Sequence, residues 1–108
     1  MVIQISYLIF FVTVPSIEEG EKIANLLLEK KIVACVNIIK GITSIYRWKG
    51  SVHKDTEHLL IIKTTQKRSE DLIKTIENVH SYETPECVGF EIDNGSENYL
   101  KWIKEVVK

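Results

Sequence analysis

The chain is expected to fold as an α+β domain of the ferredoxin-like type, with the order βαββαβ, a long hairpin between the second and third strands, and a further C-terminal helix on an antiparallel sheet. Three observations predict this. Apolar segments switch between β-branched runs and three- and four-residue stripes in that order. Pro15 and Pro85 close off one strand-like and one helix-like segment. A single turn dipeptide, Lys49-Gly50, separates two long β-type runs, and the order as a whole is that of the split βαβ arrangement.

Residues 3–14 are rich in Ile, Val, Phe and Tyr, which suit a pleated buried surface, and Pro15 stops the run. Ser16 followed by Glu19 matches a capping box, in which each side chain satisfies the other's backbone N–H. Ile23, Ala24, Leu27 and Leu28 then form the apolar stripe of a helix expected to reach about Lys31. From 32 to 48 the β-branched residues return, with Gly41 as the internal weak point, and after the Lys49-Gly50 turn residues 51–65 supply the second arm of a hairpin. At about 3.3 Å per residue, the segment 33–48 would run about 50 Å unbroken. A compact chain of this length is roughly 34 Å across, so the hairpin must bend, with Gly41 as the place, or project beyond its core. Residues 69–80 carry Leu72, Ile73, Ile76 and Val79 on one helical face, and Pro85 forbids continuation. Residues 87–92 read as the fourth strand and Asn94-Gly95 as a turn. Ser96 caps a last helix whose Tyr99, Trp102, Ile103 and Val106 are expected to face inward.

Composition limits the function classes. A chain of 108 residues, 44% hydrophobic, makes one domain, 1–108, burying roughly two thirds of its unfolded surface. Fourteen Lys and Arg against fifteen Asp and Glu provide no basic stripe for phosphates, so nucleic acid is not an expected partner. The apolar stretch Tyr7–Val14 lacks a preceding positive charge and a small-residue cleavage site, and falls far below the ~20 residues of a transmembrane segment. Two cysteines, Cys35 and Cys87, form no C-x-x-C pair, and a reducing cytoplasm is the expected location. No nucleotide-binding loop and no motif-supported Ser, His and Asp set occurs, so no enzyme activity is expected.

The stretch VHSYETPECV concentrates imidazole, carboxylate and thiol. His80 and Glu83, brought together by a turn, are the candidate ligands for Cu(II) or another divalent cation. Cys87 reads as a small buried hydrophobe, and Cys35, within VACVNII, as core. His53 and His58 would point to opposite faces of a strand, whereas His53, Asp55 and Glu57 share one, a row typical of a charged edge that blocks unwanted pairing. The hairpin tip has Ile45 on one face and Tyr46 and Trp48 on the other, with Arg47 between them. A two-stranded ribbon apolar on both sides calls for a partner subunit, making Tyr46, Arg47 and Trp48 the candidate interface.

Four segments in order, ACVNIIKGITSIYRWKG at 34–50, LLIIKTT at 59–65, HSYETPE at 80–86 and GSENYLKWI at 95–103, resemble the CutA divalent-cation tolerance family over nearly the whole chain. The resemblance implies a cytoplasmic homotrimer of ferredoxin-like fold, linked to tolerance of divalent metals, with copper binding in some members, no required cofactor and no established enzyme activity. The family usually has Pro where this chain has Lys40 and Ser81. Val12 and Val79 occupy the places where copper-binding members carry a thiol and a further histidine, leaving His80 alone. Two other classes share the fold. A PII-like signalling trimer would bind a small effector between subunits, with Lys63, Tyr82 and Glu83 as cleft residues. An acylphosphatase-like enzyme would need an anion-cradling loop after the first strand, where TVPSIEE instead places carboxylates that repel phosphate.

Overall fold

The elements follow in the expected order in the computed structural model, which describes residues 5–108: β1 (Tyr7–Val14), α1 (Ile17–Glu29), β2 (Cys35–Trp48), β3 (Ser51–Thr65), a single 3₁₀ turn (Gln66–Arg68), α2 (Ser69–Val79), β4 (Cys87–Glu91) and α3 (Glu97–Val106). Ile3, at the start of the predicted first strand, lies outside the described residues. The four strands form one antiparallel sheet in the order β2-β3-β1-β4.

Strand alternation divides this sheet into two faces. Leu8, Phe10, Val12 and Val14 of β1 align with Leu60 and Ile62 of β3 and close a core against Ile23 and Leu27 of α1 and Leu72 and Ile76 of α2. On the opposite face, cross-strand rows place Val88, Phe11 and Ile61 together, and Phe90 beside Ile9. Phe11 and Phe90 meet edge to face at 5.2 Å between ring centres. This second face is only partly covered: Phe90 remains 48% exposed. Helix α3 builds a smaller cluster, in which Ile103, Val107 and Ala34 pack with Tyr7 and Leu100.

Local differences from the sequence expectations have physical causes. Ser16 accepts from the Glu19 N–H at 3.1 Å, but only that half of the capping box forms, because the Glu19 carboxylate is drawn to the loop after α2. Ser96 stands at the α3 N-cap position without a side-chain capping bond. Ile103 is fully buried as expected, whereas Tyr99 and Trp102 are 42% and 40% exposed and lie beside one another at 5.5 Å. The narrow apolar stripe of α3 has room for Ile103 and its i+4 neighbour Val107, and the aromatic pair falls outside it. Cys35 is half-buried on the sparsely covered face rather than in the core.

The hairpin projects. The molecule measures 51 × 25 × 22 Å and its radius of gyration is 14.8 Å, against about 13 Å for a compact chain of this length. Between Ile39 and Ile42 the register with β3 slips by one residue, a β-bulge in which Gly41 takes φ +75°. Its N–H donates to His58 Nδ1 at 3.0 Å. The bulge reverses the pleat of β2: Ile38 shares a face with Leu60, whereas beyond the bulge Ser44, Tyr46 and Trp48 share the opposite face with Asp55, His53 and Ser51.

Two glycines test this description. A Cβ on Gly89 would meet the Phe10 ring at 2.6 Å, so Gly89→Ala is expected to destabilise by about 1–3 kcal/mol. A Cβ on Gly41 meets nothing within 4 Å, so Gly41→Ala should cost only the left-handed backbone strain, about 1–2 kcal/mol. Denaturant midpoints measure both, and an unchanged midpoint for Gly89→Ala would contradict the β1–β4 register.

Candidate functional site

The loop 80–86 crosses the end of β1 and comes against the base of the hairpin. It starts where α2 ends, at His80, whose backbone turns extended while its N–H still closes on the Ile76 carbonyl. The ring is held on both sides. Nε2–H donates to the Thr13 carbonyl at 2.8 Å, an acceptor only, which leaves the lone pair on Nδ1 to receive the Tyr82 N–H at 3.0 Å. Glu19 Oε2 accepts the Ser81 N–H at 3.0 Å and stands 3.4 Å from His80 Nδ1. The imidazole is fully buried and lies 4.7 Å from the Tyr82 ring, so it anchors the loop and aims Tyr82.

Tyr82 carries its hydroxyl to β3, donating to Glu57 Oε2 at 2.8 Å. Burial, then this bond to a carboxylate, push the phenol well above the usual tyrosine range. Glu57, although a carboxylate, is only 6% exposed. Its other oxygen, Oε1, has no protein donor among the described residues, and no lysine, arginine or histidine nitrogen lies within 4 Å of the group. On the facing side, Tyr46 donates its hydroxyl to Asp55 and stacks on His53 at 5.6 Å. That bond to Asp55, followed by desolvation, raises the Tyr46 phenol as well.

Between these walls lies an open cleft of about 590 Å³, within the usual range of small-molecule sites. Tyr46, Trp48 and Tyr82 form its aromatic surfaces; Glu57, Glu83 and Glu86 are its carboxylates; Thr13, Ser44, Ile45, Ser81 and Thr84 complete the lining.

The sequence-derived candidates are distributed unevenly about this cleft. Tyr82 and Glu83 line it, whereas Lys63 stands six residues further along β3, where its ammonium is bonded to Asn37. Tyr46 and Trp48 face the cleft; Arg47, opposite Val52, belongs to the other face of the hairpin. Both ring nitrogens of His80 are hydrogen-bonded and the imidazole is buried, so Cu(II) at His80 and Glu83 would have to displace one of these bonds. No three His, Cys, Asp or Glu groups converge as a ligand set among the described residues. The row His53, Asp55, Glu57 is no bare charged edge, since tyrosine hydroxyls engage two of its members. Ser51 Oγ comes within 3.1 Å of His53 Nε2, yet Asp55 is bonded to Tyr46 rather than to that imidazole, and no activated nucleophile is assembled there. Cys87 borders the core, and burial, then the charges of Glu77 and Glu86, lift its thiol to about 11. Sequence reasoning missed the roles of Glu57 and Glu19. The available signal for Glu57 was its strand parity with Asp55, across from the aromatic residues of the other arm.

Fold and cleft together define a ferredoxin-like α+β domain with a small-molecule-sized, acidic and aromatic recess along one face of a projecting hairpin. The family can be stated more closely: the chain belongs to the CutA1 divalent ion tolerance protein family, whose model matches residues 8–106. It is 43% identical over 97 residues to the divalent-cation tolerance protein CutA of Thermus thermophilus, covering 90% of this chain and 94% of that one. It is 45% identical over 97 residues to the chloroplastic CutA protein of Arabidopsis thaliana, covering 90% of this chain and 53% of the relative, so it spans about half the length of that plant protein. Among solved structures, CutA1 from Oryza sativa superposes with a TM-score of 0.93 at 38% identity, covering 96% of this chain and 95% of the other. The structure of the Thermus thermophilus protein gives 0.92 at 41%, covering 94% and 99%.

His80→Ala would strand the Thr13 carbonyl and the Tyr82 N–H, and is expected to lower stability by about 2–4 kcal/mol in chemical denaturation. The Tyr82 phenol, raised on folding, contributes stability that is complete below its unfolded value of about 10 and is lost as pH climbs through the folded value. The parent should therefore lose stability relative to Tyr82→Phe as pH rises above about 10. Parallel pH profiles of the two proteins would contradict the Tyr82–Glu57 bond.

Proposed function

We propose that this chain acts as a cytoplasmic homotrimeric binding protein of the divalent-ion tolerance response, without catalysis of its own, that takes a small effector in the cleft along the hairpin. The observation that carries the assembly is the apolar surface one chain leaves uncovered. The sheet face bearing Phe11, Ile61, Val88 and Phe90 is only partly covered, and the hairpin's outer face presents Ile45 and Val52, 67% and 60% exposed. An apolar area of this extent on a two-stranded projection calls for burial against other copies. A hairpin seated on a different surface of its neighbour makes a heterologous contact that closes as a ring, with three copies as the number the family resemblance implies. Tyr46, Arg47 and Trp48 lie at this contact, whereas Lys63, bonded to Asn37, stands apart from the cleft. The free Cys35 and Cys87 favour a reducing compartment. The relatives include a chloroplastic protein and one described as periplasmic, so location varies among them. No described helix is long and apolar enough to cross a membrane.

Response to divalent ions in this reading works through effector binding and assembly rather than through a chelate at His80 and Glu83. Light scattering at micromolar concentration should return about three times the 12.5 kDa chain mass. Phe90→Glu and Trp48→Glu, each placing a charge in the proposed contact, should shift the mass toward monomer. A folded monomer from the unmutated chain would overturn the assembly.

A further inference from the structure

We propose that the occupant of the cleft is an organic amine in its protonated form, with the ammonium at Glu57 and its apolar body between Tyr46, Trp48 and Tyr82. This deepens the effector reading and rests on it. Glu57 is the central observation: a carboxylate 6% exposed, held by one neutral hydroxyl, with one oxygen lacking a donor and opening on the cleft. Among the described residues it has no counter-ion, and its free oxygen stays accessible from the cleft, since no buried side-chain oxygen lacks a partner. A chain with a net charge of only -1 nevertheless places Glu83 and Glu86 on the same cleft, and the basic group nearest its walls is Lys49, whose Nζ stands 5.7 Å from the centre of the Trp48 ring. Its field therefore concentrates cations and repels anions such as phosphates.

The kind of cation follows from the walls. A metal ion needs three or four converging ligands, and no such set occurs among the described residues. The recess is far larger than a metal ion, and Tyr46, Trp48 and Tyr82 offer ring surface that an apolar body fills and a cation favours. An ammonium with N–H groups fits better than a quaternary one, because Glu57 Oε1 and the hydroxyls of Ser44 and Ser81 are acceptors waiting for donors.

Calorimetry on the full chain tests this, with 2-phenylethylammonium as the probe, 2-phenylethanol as its neutral analogue and phenylacetate as an anion of similar shape. The amine should bind at least roughly tenfold more tightly than the alcohol, and phenylacetate should give no heat. Glu57→Gln should weaken the amine by a similar factor. Should Glu57→Gln fail to fold, the ratio of amine to alcohol affinity on the parent, read from the Trp48 indole resonance, decides alone. Equal affinities, no amine binding, or a Cu(II) heat abolished by Glu57→Gln in the absence of any amine heat would each overturn the proposal. Light scattering on the same sample separates the two readings: a trimer without amine preference sinks this inference alone, and an amine-selective monomer sinks only the assembly.

Discussion

One extra residue in β2 sets the arrangement of everything at the far end of the sheet. Side chains alternate along a strand, so a strand without the bulge at Gly41 would carry Tyr46 and Trp48 on the same face as Ile38, above the helices. The inserted residue reverses that parity and turns both aromatics toward Asp55 and Glu57. The irregularity is held in place by an L-residue-averse φ at Gly41 and by the His58 ring, which takes up the Gly41 N–H. His58 thus has a structural part on the face away from His53, and the cleft exists because the two arms are mismatched by one.

The opposite wall is built by groups far apart in sequence. Glu19, at the start of α1, bonds the backbone of Ser81; His80 bonds the backbone of Thr13; Tyr82 reaches Glu57. The imidazole is a strut joining a helix end to a strand end, with each nitrogen committed, and this is why residue types that resemble a metal site in sequence behave as architecture. What the strut positions in turn is Tyr82, whose hydroxyl reaches the Glu57 carboxylate.

Legibility in the sequence divided along the same line. Short-range patterns placed each helix and strand within a few residues, because period and punctuation by Pro15, Lys49-Gly50 and Pro85 depend on neighbours. The projection of the hairpin was legible from length alone. What failed to show was any partner chosen across the fold. Glu19 fitted a capping box, yet its carboxylate serves a residue 62 positions away. Tyr99 and Trp102 lay on a plausible inward stripe, yet the small cluster under α3 has space only for Ile103 and Val107 at the centre. Glu57, in the run HKDTEH, looked like solvent-facing charge, and its burial depends on a tyrosine that follows the next helix.

The position of β1 has a consequence for how the chain comes into being. It precedes both of its partners in the chain, and it is central: its neighbours are β3, ending at Thr65, and β4, ending at Glu91. A ribosome therefore releases an apolar segment that cannot be flanked on both edges until most of the chain has followed it. Pairings of such long sequence separation close slowly, and an unpaired apolar strand is the kind of surface on which nascent chains associate wrongly. The long β2–β3 hairpin, joined by a two-residue turn and local in sequence, is the part of the sheet able to form first. On this order of events the projecting hairpin is also the template on which a strand made before it waits to be received.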